Sequence, residues 1–110
     1  MDMQNTHNFQ NNELLEQIKN TVLKTDNKAK IILFGSQARK TAHENSDWDF
    51  LILTNLLLNN TLKQQLRNEL FAIELDFEVV ISNLIYSKQE WKQIKVASLY
   101  KNIEKEGIIL

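Results

Sequence analysis

Two aspartates, Asp47 and Asp49, stand one residue apart at the entry to an apolar run, and a Gly35-Ser36 pair closes the apolar run before it. Residues two apart in an extended strand leave the same face, so the two carboxylates project side by side with Trp48 on the other. Like charges about 4 Å apart repel by roughly 4 kcal/mol at an effective dielectric near 20. A cation between them reverses the sign, and Mg2+ in particular takes carboxylate oxygens while also holding phosphates. Taken alone, Asp-x-Asp is equally an ordinary solvated strand start, and Gly-Ser an ordinary strand-to-helix turn. Glycine also permits close approach of another group to the backbone. A helix opening at Ser36 offers N–H groups and a hydroxyl to a phosphate, and Arg39, one turn along, adds positive charge. The lysine and spacing of a P-loop are absent.

The elements that must position these groups are readable from pattern. Leu14, Leu15, Ile18, Val22 and Leu23 recur at helical spacing and predict a helix over 13–24 with Asn12 as its cap. Residues 1–10 show no periodicity and are expected to be frayed. The run KIILF at 30–34 reads as a strand buried on both faces. A short helix follows over 36–40, then a loop, then a second strand over 47–54. Leu62, Leu66, Leu70 and Ile73 predict a helix over 61–74. LDFEVVIS at 75–82 reads as a third strand, on which Asp76 and Glu78 share a face. Ser87 with Glu90 forms a capping-box pattern for the next helix, and a last helix with Leu99, Ile103 and Tyr100 toward the core is stopped by Gly107.

Composition narrows the class. The chain has 110 residues, 43% of them hydrophobic and 25% charged, which suits one domain over 1–110. A net charge of −1 without a basic block disfavours nucleic acid as a partner. The lack of cysteine excludes disulfides and thiolate metal sites and fits a cytoplasmic protein. The first residues carry no signal-peptide pattern, and no apolar run approaches the roughly 20 residues of a membrane span.

Strand, Gly-Ser, short helix, loop and Asp-x-Asp on the next strand, with ten residues from Gln37 to Ser46 between the two motifs, resemble the nucleotidyltransferase superfamily typified by DNA polymerase beta. LFGSQARK and NSDWDFLIL are most similar to its minimal nucleotidyltransferase (MNT) branch. Lys40 stands where that branch usually has glycine after the arginine.

The resemblance implies an α/β (α+β) nucleotidyltransferase fold, a small mixed β-sheet with helices packed mainly on one side. It implies transfer of a nucleoside monophosphate, AMP from ATP, to an acceptor with release of pyrophosphate. Asp47 and Asp49 would hold Mg2+, Gly35 and Ser36 would bind the triphosphate with Arg39 in support, and Glu78, or Asp76 in its place, would add a third carboxylate. Minimal members often accompany a helical HEPN protein as antitoxin in a toxin-antitoxin system, and a chain this short implies an acceptor on another molecule. The alternative is an inactive module that acts by protein binding. An edge strand also invites a homodimer.

Overall fold

The computed structural model describes residues 3–43, 46–56, 59–94 and 97–110, with side chains from residue 11 onward. Its elements run α1 (Met3–Thr25), β1 (Lys30–Phe34), α2 (Gly35–Arg39), β2 (Trp48–Thr54), α3 (Asn60–Phe77), β3 (Ile81–Ser87), α4 (Lys88–Gln93), α5 (Ser98–Glu106) and β4 (Ile108–Ile109). Four strands form one mixed sheet in the order β3-β2-β1-β4. β1 pairs antiparallel with both β2 and β4, while β2 and β3 are parallel. The parallel pair is bridged by α3, as a same-sheet crossover requires.

Alternation along β2 sorts the core into two layers. Trp48, Phe50 and Ile52 join Ile31, Leu33 and Ile85 beneath Leu14, Ile18 and Val22 of α1 and Leu66, Leu70 and Ile73 of α3. Leu51 and Leu53 face the other way, with Ile32, Trp91 and Ile103. The two long helices therefore cover one face, and the short α4 and α5 cover part of the other. On that second face Trp91 lies between Tyr86 and Tyr100, with ring centroids 5.6 and 5.0 Å away.

Several local expectations are met. β1 has the expected bounds. The Ser87–Glu90 capping box is formed in both directions. Others are corrected. Asn12 does not cap α1, which begins at Met3 across a polar stretch with no apolar repeat to announce it; Met1 and Asp2 lie outside the described residues. The helix over 61–74 extends to Phe77 because the spacing Leu66, Leu70, Ile73 continues one turn to Phe77, which packs on the same core. The third strand consequently starts at Ile81 and not at Leu75. Leu99 points outward, and Ile103 is the buried anchor of α5. Gly107 ends α5 in an extended conformation, φ −67 and ψ 145, and turns the chain into β4, a strand too short to show as a sequence pattern. A side chain at Gly107 would run into Ile32 and the Ile103 carbonyl.

Lys40 caps α2 in the left-handed conformation, with φ 61 and ψ 32. A Cβ in that region costs about 1 kcal/mol, which glycine avoids. Lys40→Gly is expected to raise the melting temperature by roughly 4–8 °C for a domain near this size, as calorimetry would read.

Candidate active site

The bend and the acids meet across the β1–β2 hairpin. Phe34, the last residue of β1, is in register with Asp49. The chain then turns through Gly35 at φ 74 directly against the Asp49 carboxylate. A Cβ on Gly35 would approach Asp49 Oδ2 to under 3.0 Å. The glycine is required for its backbone angle, and the Asp49 carboxylate occupies the space a side chain there would take. Gly35→Ala is expected to destabilise the protein by about 1–3 kcal/mol, measured by urea unfolding, because strain and clash fall on one residue.

Hydrogen bonds hold the approach to β2. Gln37 Nε2 donates to the Ser46 carbonyl at 3.4 Å, and His43 N–H donates to Ser46 Oγ at 2.7 Å. Trp48 N–H donates to the Val80 carbonyl at 2.9 Å, docking the strand entry on the approach to β3. Glu44 and Asn45 of this loop lie outside the described residues. Asp47 is exposed just before β2, and Asp49 is half-buried within it. By alternation Asp49 faces the side of Leu51, opposite the buried Trp48.

The electrostatics fit a pair of crowded carboxylates. Burial pushes the Asp49 carboxyl above its ordinary value, the neighbouring Asp47 charge pushes it further, and the Arg39 guanidinium pulls it partly back. Arg39 therefore lies on the side of the acids. Its Nη1 donates to Glu106 Oε2 of α5 at 3.1 Å, an exposed pair that ties the α2 end to α5. An ion pair this open contributes at most about 1 kcal/mol and is easily exchanged for another anion. Ser36 is half-buried in the first turn of α2, whose N-cap, Phe34, supplies no side-chain hydrogen bond.

The expected third carboxylate is not brought to the pair. Glu78 is not on a strand: it is the left-handed C-cap of α3, with φ 54 and ψ 45, and Asp76 lies in the helix before it. Both line a cavity of about 590 Å³ with Gln37, His43 and Trp48, on the Trp48 side of β2. The physical reason is the extra turn of α3, which delays β3. Among the described residues no three acidic or histidine side chains gather as a metal site. The strand position in register with Asp49 is Ser82. The capping box at Ser87 was the signal that could have found it, because fixing the start of α4 leaves the preceding residues to the strand. Glu106 gave no local signal, since its partner is 67 residues away.

Two crowded carboxylates, whose mutual repulsion a cation would relieve, beside a glycine bend make a corner whose chemistry would suit a divalent metal and a phosphate. A mixed sheet of this topology with that bend-and-acid corner defines a nucleotidyltransferase fold. The comparisons with known proteins agree. The nucleotidyltransferase domain family matches residues 15–110. A Methanocaldococcus jannaschii protein named as a protein adenylyltransferase is 35% identical over 79 residues, spanning 69% of this chain and 79% of its own length. A toxin-antitoxin crystal structure with AMP-PNP contains a chain of similar fold, with TM-score 0.55, 23% identity and coverage of 83% of this chain and 70% of that one. A mutant MntA–HpeT toxin-antitoxin structure gives TM-score 0.55 at 22% identity, covering 91% of this chain and 70% of that one. The chain belongs to the nucleotidyltransferase domain family and is a nucleotidyltransferase. Among the described residues, no helix is long and apolar enough to cross a membrane.

Proposed function

We propose that this chain transfers AMP from magnesium-bound ATP to a hydroxyl on a protein partner. The observation that carries the reading is Gly35, held at φ 74 against the Asp49 carboxylate. It supports a site in which phosphates approach the backbone of α2 while Asp47 and Asp49 hold the Mg2+. When bound, that ion would lower the acceptor pKa and neutralise charge on the phosphate oxygens. Gly35 and Ser36 would seat the triphosphate through backbone N–H groups and the serine hydroxyl. Arg39 would exchange its Glu106 contact for a phosphate oxygen. The acceptor oxygen attacks the α-phosphorus, the bond to the bridging oxygen of the β-phosphate breaks, pyrophosphate leaves, and the hydroxyl proton passes to solvent.

The adenylyltransferase name of the relative supports AMP as the transferred group, and the toxin-antitoxin setting of the structural neighbours supports a protein acceptor. A helical HEPN-type toxin is the partner this reading selects. Incubation with ATP labelled in the α-phosphate, Mg2+ and the product of the adjacent gene is expected to label that partner. Nucleotide binding with no label transferred would overturn the reading. It would leave the second one, a module that acts by docking, which the strained Lys40 cap and the lack of a third acid beside the pair among the described residues favour.

A further inference from the structure

We propose that Ser82 withholds a third carboxylate from the acid pair, so that this chain retains a divalent cation only together with its nucleotide. The inference rests on reading Asp47 and Asp49 as the cation ligands and concerns what surrounds them. β2 and β3 are parallel with Asp49 opposite Ser82, so the two side chains leave the sheet on the same face from strands about 4.8 Å apart. On its other side Asp49 is opposite Phe34. Neither sheet neighbour of Asp49 therefore carries a charge. The β3 approach beside Asp47 is Val80, whose carbonyl accepts from Trp48 N–H and whose side chain is apolar and exposed.

Mg2+ demands octahedral coordination by oxygen and gives up its water reluctantly, and its sites are commonly completed by substrate phosphates. Among the described residues two carboxylates meet in this corner, and they supply a minority of that shell. Arg39 and Glu106, paired with each other, add no net negative charge to draw a free cation. A triphosphate supplies the missing oxygens and negative charge and also engages Arg39. Occupancy by the cation is thereby linked to occupancy by the nucleotide, and a nucleotide-free site stays without metal. Ser82 is the position at which this linkage is set. It is exposed and lies on an edge strand, where an added charge is tolerated.

The test titrates Mn2+ into the nucleotide-free full chain by calorimetry, comparing wild type, Ser82→Asp, Ser82→Glu and the uncharged Ser82→Asn, with circular dichroism confirming each fold. An acid at position 82 is expected to tighten Mn2+ binding at least about tenfold, since ligand charge count tunes affinity, while asparagine leaves it weak. Equal affinity in wild type and both acidic variants, or tight binding by wild type without nucleotide, would overturn the proposal. A separate arm titrates Mn2+–AMP-PNP into wild type and Asp47→Asn. Binding that ignores the loss of Asp47 refutes the underlying assignment of the acid pair, and so is distinguishable from failure at Ser82.

Discussion

Asp49→Asn is expected to abolish nucleotidyl transfer while leaving the melting temperature unchanged or slightly raised. The carboxylate is an unfavourable group for the fold: burial and the Asp47 charge both hold its pKa above the ordinary value. Asparagine has the same shape, keeps the contact with Gly35 and removes the repulsion. What it loses is the charge proposed to grip a cation. Metal stabilisation of phosphoryl oxygens is worth several kcal/mol, and each 1.4 kcal/mol is about tenfold in rate, so transfer should fall by roughly 10³. The paired readout is steady-state label transfer beside thermal unfolding. A variant that loses stability in proportion to activity would mean Asp49 serves the fold and not the chemistry.

Asp26→Ala should show the converse, a large loss of stability from a residue far from the acids along β2. Asp26 lies between α1 and β1 and is 8% exposed. Its carboxylate accepts from Thr54 Oγ1 at 2.6 Å, Asn55 N–H at 2.8 Å and Lys28 N–H at 2.9 Å. Thr54, the last residue of β2, is itself buried and passes the network on by accepting from Leu56 N–H at 3.0 Å. Alanine leaves these buried or half-buried donors without an acceptor, at about 1–3 kcal/mol each when fully desolvated. Because the donors are in part exposed, a total of about 2–4 kcal/mol is expected, a fall of roughly 10–25 °C in melting temperature.

The pH dependence follows from the same network. Burial raises the Asp26 carboxyl, but the hydrogen bonds from Thr54, Lys28 and Asn55 and the Lys88 charge outweigh it and hold the carboxyl below its ordinary value. A depressed carboxyl stabilises the fold at pH values above its unfolded pKa, near 3.9, and that contribution is lost as pH falls through the folded pKa. Urea unfolding should therefore separate wild type from Asp26→Ala at pH 7, with the charge-linked part of the difference shrinking below about pH 4. A gap that stays constant into acid would contradict the ionic origin of this stabilisation.

The central corner was legible because its signals are local. Gly35-Ser36 opens α2 directly after β1, and Asp47 and Asp49 stand at the start of β2, the antiparallel neighbour of β1. The α4 capping box was legible for the same reason. The region after Ile73 misled because Leu75, Phe77, Val79 and Ile81 alternate like a strand while Leu66, Leu70, Ile73 and Phe77 repeat like a helix. Packing of Phe77 on the core decided for the helix, and the expected third acid moved to the far side of β2 with it. Asn83, a poor strand former, disguised the true β3. Asp26 and Glu106 depend on partners distant in sequence, Thr54 and Arg39, and no spacing rule reaches them.

A crystal structure grown with AMP-PNP and Mn2+, read by anomalous scattering, tests the central claim most directly. A manganese peak shared by the Asp47 and Asp49 carboxylates is expected, with the triphosphate against Gly35 and Ser36. Manganese bound elsewhere, or a nucleotide seated away from the Gly35 bend, would contradict it.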